Sequence, residues 1–507
     1  MEFQSILFAD TGQEPDKAEP AFFQDLKLDY ILNIIKHFVE GYGIHQYYYT
    51  LPLTEGLIKY RQQVFKDLSD KGLRQVVQKF CFQMRKSRSS YRYSLQCEEI
   101  MQAAAYHLEA ALLYWEALEV FEKELSLYSP VSCGINSLKE YLAGYIAGCK
   151  EKHFDKVLQR ANGFFSQMHF RLSVGKNCIT VEEEGETYNY LLELSELLQV
   201  NPEETEITLN GIFPNALELS YLEASLVQML KRNNPEVFDV LQDFYKLFPD
   251  FYSKQLLRFE EEVQFYISFL EFRERTERYG YHLEIPDISS GNEFFGTGVY
   301  DIALVWKNAD RDYKVVPNNF QWGSKPSFFV VTGPNQGGKT TFARSMGQAV
   351  YFSIMGMPAN AETLTVPFFK GISTHFEAEE KIQSNSGKLK EEINRLIPMM
   401  KNKNNHQFVI LNELFTTATT NDALIMGRKV MQYFLGRKCY GIYVTHIQEL
   451  AEEEEQIISL VAQVGDGVDR KRTYRMVHMK AQGYGYPEQL LEQFQLSYKD
   501  IIRRLSC

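Results

Sequence analysis

From about Phe23 to Glu284, apolar side chains recur three and four residues apart, the spacing of helices with one buried face. YHLEAALLYWEALEVFEKELSLY (Tyr106–Tyr128) shows the pattern most plainly and predicts a long helix. The stretch Tyr252–Tyr279 predicts a second, closed by Gly280. Between them, FFSQMHFRLSVGKNCITVEEEG (Phe164–Gly185) alternates apolar and polar residues about a Gly-Lys-Asn turn, which predicts a hairpin in helical surroundings. After Pro286 the pattern changes. Short apolar runs (FFVVTG, FVILNE, YGIYVTH) alternate with amphipathic segments and predict the buried strands of an α/β domain. A boundary is expected at Pro286–Asn292, where Pro, Asp, Ser and Gly gather, and no 20-to-50-residue repeat or low-complexity segment interrupts either part.

A length of 507 residues exceeds one hydrophobic core and suits about three domains. Hydrophobic residues at 45% and charged residues at 24% describe a globular chain rather than a disordered one. The formal charge of -12 argues against coating nucleic acid by bulk charge and leaves local patches as the means of any such contact. Two patches exist. Lys71, Arg74, Lys79, Arg85, Lys86, Arg88 and Arg92 fall in a stretch without an acid, with Phe80, Phe82 and Tyr91 between them. Lys150, Lys152, Lys156, Arg160, Arg171 and Lys176 run into the predicted hairpin, after which Asn177–Leu230 holds eleven Glu and no Lys or Arg. This arrangement is suggestive of phosphate contact at defined places. The first residues lack a basic leader and a cleavage site, and no run of 18 apolar residues occurs, so neither a secretory signal nor a membrane span is expected. Seven scattered cysteines without a CxxC pair predict neither a zinc site nor a disulfide framework, and fit a reducing, cytoplasmic setting.

The chemistry concentrates in the second half. Gly333-Pro334-Asn335-Gln336-Gly337-Gly338-Lys339-Thr340 is G-x-x-x-x-G-K-T, preceded by strand-like SFFVV and followed by helix-like TFARSMGQAV. Gly333, Gly337 and Gly338 allow the backbone to wrap closely around phosphates. Lys339 would bridge β- and γ-phosphates, the Thr340 hydroxyl would ligate Mg²⁺, and the following helix would offer its positive end. The motif predicts binding of a nucleoside triphosphate. About seventy residues on, the apolar strand FVILNEL ends in Asn412-Glu413, where ATPases of the ABC-like type carry Asp-Glu. Glu413 is the candidate general base. Asn412 can orient metal-bound water through its amide oxygen but brings no negative charge, which predicts weaker Mg²⁺ binding or slower turnover. His446 closes the strand YGIYVTH, where it could sense a γ-phosphate or be a satisfied core histidine.

Together these segments resemble the MutS mismatch-repair ATPase family. TGPNQGGKTTFARSMGQAVYFSIMGMPANAE (Thr332–Glu362) is similar to its GPNxGGKST segment. NELFTTATTNDA (Asn412–Ala423) stands where the family has DE-x-GRGTST-x-DG, and YVTHIQEL (Tyr443–Leu450) where it has a THY-x-EL-like strand. TLPLTEGLIKYRQQVFKDL (Thr50–Leu68) and Val263–Ile288 resemble the start and end of its core-lever domain, and QGYGYPEQLLEQFQLSYKDIIRRL its SYGI-type turn and dimerising helices.

The resemblance implies a multidomain α plus α/β protein. Residues 1–22 form an N-terminal segment, 23–288 a mostly helical lever with a small clamp insertion around 150–185, and 289–507 an ABC-like P-loop ATPase domain with C-terminal dimerisation helices. It implies ATP and Mg²⁺ as cofactors, DNA as partner through backbone charge, a homodimer, and no membrane. Catalytic roles fall to Glu413, Lys339 and His446. Nucleotide contacts fall to Gly333, Pro334, Asn335, Gly337, Gly338, Lys339, Thr340 and Thr341, to Val315 and Val316 beside adenine, and to Ser386 toward the nucleotide of the opposite subunit. Metal contacts fall to Thr340 and Asn412. The family's mismatch-reading domain with its Phe-x-Glu wedge finds no counterpart, since lever-like sequence begins near Phe23, so direct mismatch reading is not expected. The implied function is ATP hydrolysis coupled to lever and clamp movement on DNA, in mismatch repair or related repair or recombination. The alternative is a nucleotide-binding scaffold of little turnover that assembles with protein partners.

Overall fold

The computed structural model describes residues 3–9, 12–166, 170–174, 179–183, 219, 221–309, 311, 313–323, 325–376, 387–402, 404–464 and 472–481. They divide into two compact units that interleave along the chain: residues 1–3, 70–130 and 135–260 in one, and 4–69, 131–134 and 261–507 in the other.

Four helices come first, α1 (Phe22–Asp25), α2 (Leu28–Lys36), α3 (His45–Tyr49) and α4 (Glu55–Leu68), all counted in the second unit. Thr54 caps α4 by accepting from the Leu57 N–H. The turn ahead of α1 is tied down by buried polar side chains. The carboxylate of Glu262 is buried and accepts from Ser5 Oγ (2.7 Å), the Ile6 N–H (3.0 Å) and the Leu7 N–H (3.3 Å). Arg61, fully buried, donates from Nε to the Leu7 carbonyl (3.0 Å) and lies between the Phe8 and Phe265 rings. Burial pushes its guanidinium down to about 10, while Tyr266 and Glu262 oppose that fall.

Among the described residues the first unit is helical apart from one hairpin. α5 (Lys71–Gln96) and α6 (Ile100–Ser126) begin at Asp70 and Glu99, whose carboxylates accept from Leu73 and Gln102 N–H groups. Their seam is closed by Phe80 stacked on Phe121, with centroids 4.2 Å apart. α7 (Cys133–Glu151) and α8 (Phe154–Ser166) lead to β1 (Phe170–Val174) and β2 (Ile179–Glu183), which pair antiparallel from Phe170↔Glu183 to Val174↔Ile179. This is the predicted hairpin; His169 and the turn 175–178 lie outside the described residues. α9 (Tyr221–Asn233) and α10 (Pro235–Leu247) follow, and then α11 (Lys254–Arg278). The long helices read from residue spacing at 106–128 and 252–279 are α6 and α11.

Between α10 and α11, residues 248–253 are fastened by side chains from neighbouring helices. His107 Nε2 bonds the Phe248 carbonyl (2.8 Å), Tyr91 the Pro249 carbonyl (3.0 Å) and Tyr145 the Phe251 carbonyl (3.0 Å). The Ser253 N–H donates to the Tyr114 hydroxyl (3.0 Å), and the Tyr252 and Ser87 hydroxyls share a 2.6 Å bond.

The second unit continues with two sheets. β3 (Asp287–Ser289), β4 (Phe295–Val299), the short helix α12 (Ile302–Lys307) and β5 (Asn318–Gln321) precede β6 (Phe328–Thr332), helix α13 (Lys339–Ile354) and β7 (Thr363–Pro367). β8 (Ile372–His375), α14 (Lys388–Lys401), β9 (Phe408–Asn412), α15 (Thr420–Leu435), β10 (Tyr440–Val444), β11 (Ile457–Val464) and β12 (Arg472–His478) complete the described chain. β3, β7, β4 and β5 form a four-stranded mixed sheet. The larger sheet runs β12-β11-β6-β10-β9-β8, parallel throughout except for antiparallel β12 at its edge. Every residue of β6, β9 and β10 is buried, which is why these strands read as unbroken apolar runs. The molecule is thus a mixed-sheet α/β protein with a helical part, and no helix among the described residues is long and apolar enough to cross a membrane.

Candidate functional site

Parallel strands deliver their carboxyl ends, and whatever follows them, to one edge of the sheet, where helix starts also gather. β6 ends at Thr332, and the chain turns through Gly333 (φ 122°), Gln336 (φ 58°) and Gly338 (φ 90°) before α13 begins at Lys339. Glycine is required at the two ends of this turn because L side chains rarely adopt those angles. Ala462 of β11 backs the loop, so that a Cβ on Gly333 would lie 3.0 Å from the Ala462 methyl group. The turn is closed by the Gly337 N–H donating to the Pro334 carbonyl (3.1 Å). The first N–H groups of α13 have no partner within their own helix and face the loop's mouth with the positive end of the helix dipole.

Lys339 lies 4% exposed, its ammonium donating to the Gly333 (3.0 Å) and Pro334 (3.1 Å) carbonyls. Burial lowers its pKa, and the Glu413 carboxylate opposes that shift. Beside it, Thr340 Oγ1 donates to Asn412 Oδ1 at 3.1 Å, so the residue closing β9 meets the hydroxyl that opens α13. Glu413 follows in the left-handed region (φ 54°), held by its N–H on the Val444 carbonyl (2.9 Å). Its Oε1 lies 3.2 Å from His446 Nε2. That hydrogen bond holds the Glu413 carboxyl below the usual range; burial works against it, and the charges of His446 and Lys339 add to it. His446, half exposed at the end of β10, is therefore paired with the carboxylate rather than packed in the core.

These groups border a cavity of about 510 Å³. Asn335, Gly337, Gly338, Lys339, Thr340, Thr341, Glu413 and His446 line one part of it, and Val315 and Val316 another. Val315 is fixed there by a reciprocal pair with Tyr281, whose hydroxyl accepts from the Val315 N–H (2.7 Å) and donates to its carbonyl (3.2 Å). Gly333, Pro334 and Asn412 are not among the lining residues and meet Lys339 and Thr340, which are, through the bonds given above. Ser386 lies outside the described residues, as do residues 482–507 with the expected dimerising helices.

Sequence reading missed the aromatic wall. Tyr313 and Tyr474 also line the cavity. Tyr474 sits at φ 58°, and the neighbouring backbone is clamped to Asn318, which donates to the Tyr474 carbonyl (3.2 Å) and accepts from the Met476 N–H (2.8 Å). A tyrosine within an alternating strand carries no mark of such a position.

The first basic cluster is only partly a surface. Arg74 is buried, and Arg88 pairs with the fully buried Glu260 (3.0 Å), so these two charges serve the fold. Lys79 is engaged by Glu124, and Lys150 of the second cluster lies 3.3 Å from Glu119. Lys152, Lys156 and Arg160 are exposed on and beside α8.

A phosphate-type loop, a hydroxyl–amide pair and a carboxylate–histidine pair around one cavity agree with the match of residues 329–485 to the family model described as MutS domain V. Over those residues the chain is similar to the MutS family. Individual MutS relatives also resemble part of the chain. The DNA mismatch repair protein MSH6 of Arabidopsis thaliana is 28% identical over 161 residues, 30% of this chain and 12% of that protein. The DNA mismatch repair protein MutS of Streptococcus equi is 25% identical over 169 residues, 33% of this chain and 20% of that protein. Msh3 of Dictyostelium discoideum, a DNA mismatch repair protein, is 29% identical over 157 residues, 31% of this chain and 11% of that protein. The MutS likeness thus spans a fifth or less of each of these relatives.

Proposed function

We propose that the chain is a MutS-type, ATP-dependent DNA-binding protein. In this reading residues 289–507 are an ABC-like P-loop ATPase domain, and hydrolysis is coupled to lever and clamp movement by 23–288. The protein works in the cytoplasm as a homodimer, in mismatch repair or a related repair or recombination process. The observation that carries the reading is the convergence on one cavity of the Gly333–Thr340 loop, the Thr340–Asn412 bond and the Glu413–His446 pair.

The chemistry follows from these groups. Loop and helix N–H groups bind β-phosphate oxygens, and the Lys339 ammonium, now on two loop carbonyls, transfers to the β- and γ-phosphate oxygens. Thr340 Oγ1 and Asn412 Oδ1 are neutral oxygens already facing each other, a donor set that fits Mg²⁺ when phosphate and water oxygens complete it. The ion would neutralise charge developing on the phosphates. No group of three His, Cys, Asp or Glu suited to a metal occurs among the described residues. Glu413 is ionised at neutral pH and takes the proton of the attacking water, while His446 holds its carboxylate in place. Val315, Val316 and the tyrosine wall receive the base.

The decisive assay is phosphate release under saturating Mg-ATP, with and without branched DNA. Release in the parent that falls by about 100-fold or more in Lys339→Ala and Glu413→Ala is the expected result. Binding of ATP without release in the parent supports instead the scaffold reading, which the neutral Asn412 favours. For DNA, charge reversal of Lys150, Lys152, Lys156 and Arg160 together weakens binding and flattens its salt dependence. Parental binding by that variant removes the clamp from this region.

A further inference from the structure

Glu413 and Phe415 both occupy the left-handed region, at φ 54° and 61°, with only Leu414 between them. Residues with a Cβ avoid this region, and two in three positions persist only where the surroundings hold them. Three hydrogen bonds do so. The Glu413 N–H is fixed by the Val444 carbonyl of β10, the Phe415 carbonyl accepts from the Ala418 N–H (3.0 Å), and the Phe415 N–H donates to Glu392 Oε2 (3.0 Å). The first two acceptors are backbone. The third is a side chain on α14, 23 residues away in sequence. Leu414 and Phe415 are themselves buried in the core shared by β9, β10 and α15, so a Phe415 N–H without this acceptor would be buried unpaired.

We infer that Glu392 is a positioning residue for Glu413: its carboxylate pins the Phe415 amide, and through the paired left-handed residues it fixes the direction in which the Glu413 carboxylate leaves the end of β9. A carboxyl oxygen reaching in from another helix gives the strained turn an acceptor that its own backbone does not supply. Without it the turn relaxes toward ordinary angles, and the Glu413 carboxylate swings off its 3.2 Å contact with His446. The catalytic consequence rests on the hydrolysis proposed above; the geometric one does not.

Both are tested with Glu392→Ala, which deletes the acceptor, and Glu392→Gln, which keeps an acceptor oxygen. In Glu392→Ala, kcat for ATP falls about 10- to 100-fold while KM stays within about twofold, and Glu392→Gln restores most of the rate. Independently of turnover, hydrogen exchange at the Glu413 and Phe415 amides rises about tenfold or more in Glu392→Ala alone, with the β9 and β10 amides unchanged. The inference is overturned by unchanged exchange at those two amides, by a general rise across both strands, or by a Gln variant as impaired as the Ala one. A parent without phosphate release defeats the ATPase reading only, and the exchange result then decides the role of Glu392 by itself.

Discussion

The molecule holds two short loops by opposite means. Residues 248–253 are fastened by four aromatic side chains and a serine hydroxyl, which engage carbonyls, an amide and a hydroxyl along the segment. Residues 333–338 are shaped by left-handed backbone and one internal N–H bond, with Lys339 turned onto two of their carbonyls. The first loop spends its hydrogen-bonding capacity on its own protein. The second keeps helix-start donors facing a cavity. A loop that is to receive an anion must be shaped without consuming its donors, and glycine is the residue that permits this.

Substitutions can break this contrast, starting where the effect is largest. In Gly338→Ala, a Cβ is forced onto φ 90° and to 3.3 Å from the Tyr474 ring, so the loop's shape is lost. Nucleotide affinity, read by titration with a fluorescent ATP analogue, falls about tenfold or more, while chemical denaturation shows a loss of about 1 kcal/mol. The converse change is Tyr114→Phe, which strips the Ser253 N–H of its acceptor. It costs about 1–2 kcal/mol of stability by the same denaturation measurement and leaves ATP affinity unaltered. A Tyr114→Phe protein with weakened nucleotide binding would erase the distinction between the loops.

The smallest effect sharpens the receiving side. Glu413 has a lowered pKa chiefly because His446 bonds its charged form, so this contribution is present above the ordinary carboxylate range and lost as pH falls through the lowered value. In His446→Ala that bond disappears and burial dominates, raising the Glu413 pKa. The acid limb of the pH–rate profile therefore moves to higher pH, and the plateau rate near pH 8 falls up to about tenfold because the carboxylate also loses the contact that holds it.

How much of this could be read from residues alone follows the same division. The strands 328–332, 408–412 and 440–444 are buried on both faces, so their apolar runs announced them, and the loop between β6 and α13 has a composition dictated by its angles. Spacing likewise gave α6, α11 and the β1–β2 hairpin. Asn412 and Glu413 were legible because polar residues closing an apolar strand need an explanation. Tyr313 and Tyr474 were not, because a tyrosine looks the same in a core, on a surface or in a cavity wall. Glu392 was hidden for another reason: its partner is a main-chain amide 23 residues away, and no side-chain pattern records such a bond. The basic cluster of α5 misled in part, since Arg74 and Arg88 point inward. Grouping by chain order was also silent on how residues 4–69 fold with 261–507, which depends on Glu262, Arg61 and other long-range contacts.

That last arrangement bears on handling the protein. Ser5 to Phe8 read as an ordinary leading stretch, yet they supply hydrogen-bond donors to the buried Glu262 carboxylate and an acceptor and a ring to Arg61. A shortened version starting after Phe8 would take the Ser5 hydroxyl and two backbone donors from a buried carboxylate and the Leu7 carbonyl from a buried guanidinium, so a cloning boundary chosen by where the first helix begins would yield less stable material.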